Sequence, residues 1–488
     1  MAFTGKHLIE WGMKPSRWFP QAIAAANAAA KAGLSHEEIL AAAKAAEPPA
    51  PPTVPMRETP LAHAEFIELA GDGTAEVSNL NAVRKHMAEL MRVPTLTAGA
   101  IMPDACVSGS TLGTIPVGGA VAAVNAIHPG FHSADICCSV AISVLGRDAD
   151  PRKVLDSLQA VTHFGPTGRN DPIKPPAGFA DLSDNPFLVG LEKHSLHQFA
   201  TQGDGNHFAY VGRMRSSGRV AIVTHHGSRG FGAQLYKRGM IKAVEHTSRA
   251  APEVPKHNSW IVADSRDGEL YWEALQKVRL WTRESHYAIH DMAVAAAGTS
   301  VNDRFWNEHN FVLQKADGLF YHGKGATPSW NGFSADDVGL TLIPLNCSEP
   351  ILIARHGDNP GALGFAPHGA GRNFSRTQHL KISSETFLGG PDGPVTTNAI
   401  LEGELQELRE KGLDIRAYSG VPDLSELPSA YKNAKAVRAQ IEKFKLAEVV
   451  DEVLPFGSIM AGEFEKPWLK KKDDRARTVP ASDAEADG

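Results

Sequence analysis

The chain is poor in cysteine: four in 488 residues, Cys106, Cys137, Cys138 and Cys347, two of them adjacent. Adjacent cysteines make a poor disulfide pair, so a disulfide-stapled secreted scaffold is not expected. Thiol or ligand cysteine in a reducing, cytoplasmic setting is. No run of about 18 apolar residues occurs, which argues against a membrane span. The opening stretch MAFTGKHLIEWGMKPSRW lacks the continuous apolar segment of a signal peptide. Positive charge is not in excess either, with 49 Lys and Arg against 55 Asp and Glu and a net charge of −6. That argues against a surface coated for nonspecific nucleic-acid binding and leaves a local basic site open.

What remains is ordinary soluble composition, 42% hydrophobic and 21% charged, in a chain long enough to bury a sizeable core. Residues 19–46 are Ala-rich with helical patterning, and Ser35 to Glu38 (SHEE) reads as a capping box. EPPAPPTVP, Glu47 to Pro55, reads as an extended linker. Residues 1–56 are therefore expected to form a helical N-terminal extension with a Pro-rich linker, and 57–465 the main domain. Residues 466–488, charged and low in apolar residues, are expected to be a disordered tail.

Within the main domain NAVRKHMAELMRV predicts an amphipathic helix. AISVLG (141–146), NHFAYVG (206–212) and RVAIVT (219–224) predict strands, as do LTLIPLN and EPILIARHG. Long helices are expected over about 231–248 and 268–298, and a hairpin turning at Asp317-Gly318. The irregular helix spacing predicts an α+β (mixed α/β) domain with central mixed or antiparallel sheets flanked by helices, not a barrel of regular βα units.

Four stretches set reactive residues among glycines near strand ends: HSADICCSV, QGDGNHFAYV, VTHHGSRGFG and WNEHNFV. Taken singly each is weak, since a histidine at a strand end is more often structural. Together they supply Asp135, Cys138 and several histidines where active-site loops gather. A mixed O/N/S donor set suits Mn²⁺, Zn²⁺ or Fe²⁺ better than Mg²⁺ or Ca²⁺. The spacing fits no zinc finger, which favours a catalytic over a structural site. Candidate phosphate ligands are Arg229 in a Gly-rich turn, Lys324 in HGKGAT, and Arg372 with Arg376, which would share a face if helical. His368, in FAPHGAGRNFSR, is followed by Gly369, Ala370 and Gly371, small enough for a nucleotide to approach the backbone. Imidazole is a competent nucleophile at neutral pH, its ordinary pKa being about 6.5. Attack on a nucleotide α-phosphate would give a phosphoramidate.

From about Asn81 to Gly462 the chain resembles the RtcB-type RNA ligase family. The resemblance is carried, in order, by MPDACVSGSTLGTIPVGGAV, ADICCSV, GDGNHF, HHGSRGFG, NEHNFV, GKGAT, HGAGRNFSR and AYKNAKAV…LAEVVDEVLPFGSIMAG. It implies a GTP-dependent ligase using two Mn²⁺ ions. Such an enzyme joins an RNA 2′,3′-cyclic phosphate or 3′-phosphate to a 5′-hydroxyl in RNA repair or tRNA splicing. It also leaves room for an accessory activating protein. Carried over by position, His368 would take GMP, and Asp135, Cys138, His207, His225 and His309 would be the metal ligands, with Cys138 bridging. Asn206 would hold nucleotide phosphate or metal-bound oxygen. Arg229, Lys324, Arg372 and Arg376 would hold phosphates.

Departures fall elsewhere. The family's PDVH reads PDAC with Cys106, and its DIGCG reads DICCS. Its NR dipeptide falls at Ile289-His290, and its IPGSMG reads IPLNCSE. Tyr210 replaces the base-reading acid after NHF, and Met460 or Ala461 replaces the base-reading lysine. The resemblance thus implies kept metal and phosphate positions beside changed base-reading ones, as in a divergent branch using another nucleotide or a specialised RNA. The alternatives are a metal-dependent cyclic-phosphate or phosphoester hydrolase, and a non-ligating RNA-end-binding protein of the same fold.

Overall fold

The computed structural model describes residues 2–15, 18–47, 52–71, 73–386 and 397–464. The expected tail at 466–488, and residues 48–51 of the Pro-rich linker, lie outside the described residues. The chain divides into two compact units, one ending at Val54 and the other beginning at Pro55.

Among its described residues the first unit holds three helices, Gly5–Glu10, Phe19–Lys31 and His36–Ala45. The expected capping box is present: Ser35 Oγ accepts from Glu38 N, and the Glu38 carboxylate accepts from Ser35 N. Leu8, Phe19, Ala22, Ala26, Ile39 and Ala43 form its own small core. The many alanines let the helices of this unit approach closely.

The second unit is a mixed α+β assembly of largely antiparallel sheets flanked by helices. An eight-stranded sheet runs, in spatial order, Leu340–Ile343, Ile351–His356, Ala447–Met460, Phe208–Met214, Val220–His226, Ser139–Leu145 and Val301–Glu308. Its eighth strand, Asp414–Ala417, pairs in parallel with Ala447–Met460. Strand Val220–His226 is buried at every position; its first four residues, VAIV, are the apolar run expected of a strand covered on both faces. A five-stranded sheet contains Ala64–Glu65, Leu96–Cys106, Val117–Ala123, Phe320–Lys324 and Asn310–Gln314. The last two form the expected hairpin, with Gly318 at φ 80° in its turn.

The helix Arg266–Ala297 spans 32 residues, capped by Ser265 Oγ accepting from Gly268 N and ended by Gly298 in the left-handed region. It buries Leu275, Val278, Thr282, Ser285, Ile289 and Ala293 at helical spacing. Two histidines on it bond to the large sheet. His286 meets Ser139 Oγ at 3.0 Å and Thr224 Oγ1 at 2.7 Å, and His290 meets Thr224 Oγ1 and Ser143 Oγ at 2.8 Å each. The helix Thr74–Leu90 starts seven residues earlier than NAVRKHMAELMRV suggests, because nothing in TAEVSNL breaks a helix. Among the described residues no helix is long and apolar enough to cross a membrane.

Candidate active site

Strand register builds the site. Ser139 pairs with both His226 and Glu308, and Phe208 pairs with His225. Antiparallel pairing therefore brings the start of two strands and the end of two others to one rim of the sheet. Cys138, His207 and His309 each sit one residue beyond such an end, and His225 one residue inside it. The backbone N–H of His309 also donates to Cys138 O at 2.8 Å. Of the His225-His226 pair only His225 reaches the rim, because successive strand side chains point to opposite faces. His226 stacks instead on His286, with ring centroids 3.5 Å apart.

All five residues expected as ligands converge. Asp135, Cys138 and His207 form one group, and Cys138, His225 and His309 another, with donor atoms in each group within 4.8 Å of one another. Cys138 belongs to both. Its Sγ lies 3.2 Å from His225 Nε2 and 3.5 Å from His207 Nε2, and His225 Nε2 lies 3.2 Å from His309 Nε2.

The neighbours of these imidazoles fix which nitrogen carries a lone pair. His207 Nδ1 donates to Gln202 O at 2.6 Å, and His225 Nδ1 donates to Asn206 O at 3.2 Å. In the neutral rings both Nε2 atoms then present lone pairs to the cluster. Burial, with His207 and His368 nearby, lowers His225 to about 3, and burial with His368 lowers His309 well below the ordinary range. Burial and the Asp135 carboxylate push the Cys138 thiol up. Lone pairs, a carboxylate and a sulfur facing each other repel unless a cation lies between them. A cation would also turn the thiol into a thiolate ligand. The donor set therefore fits a bound metal ion.

His368 follows the short strand Phe365–Pro367, which pairs with Ala326–Pro328. This pairing sets the imidazole against Gly325, where a Cβ would come within 3.0 Å of His368 Cε1. Its ring centroid is 4.8 Å from that of His309, so it stands beside the donor cluster. Asp104, fully buried, accepts from His368 Nδ1 at 2.6 Å and from His368 N at 3.1 Å. Nε2 is thereby left as the free lone pair. Lys432 Nζ holds the chain on either side of Asp104, donating to Pro103 O at 3.1 Å and Ala105 O at 2.7 Å. Gly371 has φ 70°, and a Cβ there would lie 1.9 Å from Asp104 O. A Cβ at Gly369 would lie 2.8 Å from Pro344 O. These glycines are thus required by backbone packing as well as by access.

The phosphate candidates divide. Arg229, itself at φ 56°, opens the helix Arg229–Ala250 and lies over Gly203, with its Nε buried and without a hydrogen-bond partner among the described residues. Lys324 is buried, bonds Ser108 Oγ at 2.7 Å, and is lowered to about 8 by burial, with Cys106 opposing the shift. Arg372 and Arg376 do not share a helix face, because the helix begins at Arg376. They share a buried carboxylate: Glu426 takes Arg372 Nη2 at 2.6 Å and pairs with Arg376 Nε at 2.7 Å.

A cavity of about 190 Å³ opens beside His368. It far exceeds the roughly 10–15 Å³ that one water needs. His368, Gly369, Ala370, Gly371, Arg372 and Asn206 line it, and so do Tyr210, Asn346 and Met460. Catalytic-looking and altered positions therefore face one space. Nothing in the sequence singles out Asp104 or Glu426. Asp104 acts on His368, 264 residues away, and Glu426 on Arg372 and Arg376, 54 and 50 residues away, which a local pattern does not record.

A family model described as tRNA-splicing ligase RtcB matches residues 181–461. The chain belongs to the RtcB family. It is 25% identical to the tRNA-splicing ligase RtcB of Aeropyrum pernix over 54% of this chain and 60% of that protein. The RtcB of Pyrococcus abyssi is 27% identical over 53% of this chain and 31% of its own length. That of Thermococcus kodakarensis is 26% identical over 53% and 59%. The chain thus spans between about a third and three fifths of the length of these RtcB relatives.

Proposed function

We propose that the chain is a metal-dependent RNA ligase that joins a 3′-phosphate or 2′,3′-cyclic phosphate to a 5′-hydroxyl through a nucleotide carried on His368. The observation that carries this reading is the pairing of His368 with Asp104, which leaves Nε2 free beside two donor triads sharing Cys138.

Asp135, Cys138, His207, His225 and His309 would hold two divalent ions, for which Mn²⁺ suits the mixed donors. Such ions, when bound, neutralise phosphate charge and stabilise attacking and leaving oxygens. His368 Nε2 attacks the α-phosphorus of a nucleoside triphosphate, with GTP the nucleotide the family resemblance implies. The new P–N bond replaces the bond to pyrophosphate, which leaves. Asp104 holds the Nδ1 proton throughout and stabilises the positive charge the ring gains. A cyclic end is first opened by water, which breaks the P–O2′ bond and leaves a 3′-phosphate. An oxygen of the RNA 3′-phosphate then attacks the nucleotide phosphorus and breaks its bond to His368. The 5′-hydroxyl, losing its proton, attacks the RNA phosphorus and expels the nucleoside monophosphate to form the phosphodiester. Of the four candidate phosphate ligands, Arg372 and Arg376 are paired with Glu426, whereas Arg229 and Lys324 have no carboxylate partner within hydrogen-bond reach among the described residues and hold the phosphates; Asn206 lines the cavity beside His368. The net charge of −6 confines RNA contacts to such local groups.

The test is covalent labelling. Purified protein with Mn²⁺ and α-labelled nucleotide is expected to acquire acid-labile label, and His368→Ala to acquire none. Label that persists in His368→Ala would sink the proposal.

A further inference from the structure

Resting on that reading, we infer that the cavity beside His368 selects an adenine nucleotide over a guanine nucleotide. The walls decide it. Phe208, Tyr210, Leu345, Ile351 and Met460 make most of the lining apolar, which suits a flat ring of either kind. Discrimination must come from the few polar groups.

Guanine carries two adjacent donors on its pairing edge, N1–H and N2–H₂, and an uncommitted carboxylate satisfies both at once. Among the described residues one carboxylate lines this cavity, that of Glu426. Only one of its oxygens could serve: Arg372 Nη2 and Tyr431 OH each donate to Oε2 at 2.6 Å, while Oε1 faces Arg376 Nε at 2.7 Å as an ion pair without a hydrogen bond, so the pair of oxygens that guanine's two donors need is not free. Freeing it would strip two guanidiniums of their partner. Asn346 Oδ1 is likewise occupied, accepting from Ser348 N and Ser348 Oγ at 2.9 Å each. Tyr210 directs its hydroxyl away, donating to Val453 O at 3.0 Å.

The groups left over mostly donate. Asn346 Nδ2 has no hydrogen-bond partner among the described residues. Cys347 lines the same wall, and burial, with Glu404 nearby, pushes its thiol to about 12, so it stays S–H. Adenine offers acceptors at N1, N3 and N7 and one exocyclic amine, which the Ser458 hydroxyl can accept. A donor-rich, acceptor-poor wall matches that edge. The same wall would leave guanine's donors buried and unpaired, and sites discriminate strongly against such a ligand.

The experiment compares α-labelled ATP with α-labelled GTP on the full chain with Mn²⁺, read as initial labelling rate at low nucleotide. ATP is expected to label faster, by roughly tenfold or more for two unpaired donors. GTP labelling as fast or faster overturns the inference. Equilibrium binding to His368→Ala, which cannot form the adduct, makes the same comparison without transfer: tighter ATP supports the inference, and equal or tighter GTP overturns it. Loss of all labelling with ATP still bound preferentially would defeat the ligase reading and leave the cavity's preference standing. Asn346→Asp keeps an oxygen for Ser348 and adds an acceptor. It is expected to raise the GTP-to-ATP labelling ratio several-fold, and an unchanged ratio overturns the role given to Asn346.

Discussion

Asp104 Oδ2 lies 2.6 Å from His368 Nδ1, across 264 residues of sequence. The carboxylate accepts from the ring and from the backbone N–H of the same residue, so it fixes position as well as tautomer. Asp104→Asn retains the shape and removes the charge. Nucleotidyl transfer is expected to fall about 10²–10⁴-fold while the KM for nucleotide changes little. Single-turnover labelling across nucleotide concentrations separates the two.

Cys138 is common to both donor triads, whereas Asp135 belongs to one. Cys138→Ala is therefore expected to lose both bound ions and Asp135→Ala one. Equilibrium dialysis with Mn²⁺ followed by elemental analysis reads the stoichiometry directly. Equal losses from the two variants would contradict a bridging sulfur.

Lys324 has a folded-state pKa of about 8, below the 10.5 of the free side chain, because burial disfavours its charge while Cys106 favours it. The folded chain thus binds fewer protons than the unfolded chain between those values, and stability rises with pH across that window. Below pH 8 the full penalty applies, of order 3 kcal/mol at 1.36 kcal/mol per unit. Lys324→Met is expected to be more stable than the natural chain at pH 7, with the gap closing towards pH 10.5, as followed by urea unfolding. Phosphate-bearing ligands need the charged amine, so their binding to the natural chain should weaken as pH rises past 8.

Arg279 and Glu308 are both buried, with Nε to Oε1 at 2.5 Å, and Asp336 Oδ1 accepts from Arg279 Nη2 at 2.7 Å. Glu308 immediately precedes His309. Arg279→Met would leave a buried carboxylate without its partner. A loss of about 3–5 kcal/mol is expected in urea unfolding. Weaker Mn²⁺ binding should accompany it, since His309 rides on the same turn.

Much of this was legible in the chain itself. Val220–His226 is a strand because its apolar and β-branched run is bounded by turn residues, and Phe320–Lys324 follows from the Asp317-Gly318 hairpin, which closes where its glycine demands. The five donors were recognisable because Asp, Cys and His gather at strand ends and match a family's ordered segments. Less legible was anything fixed by distant pairing. The spacing of Arg372 and Arg376 suggested one helix face, but Gly371 at φ 70° breaks the chain before the helix, and Glu426 supplies what the two arginines share. Gly369 and Gly371 looked like room for a ligand; Pro344 O and Asp104 O give them a second reason. His290 departs from the family's NR dipeptide, yet it is a buried link from the long helix to Thr224 and Ser143, a role visible only once helix and sheet are docked.

The rim that gathers Cys138, His207, His225 and His309 is set by pairing register, so the spacing of the reactive atoms depends on strand length as much as on residue identity. Deleting one residue from within Ser139–Leu145 would slide Cys138 by about 3.3 Å and turn its side chain to the opposite face. The same deletion in the Asn346–Cys347 part of the cavity wall would leave that register untouched. This fold is therefore expected to tolerate insertions and deletions along the Asn346 wall and to penalise them along the rim that gathers the donors.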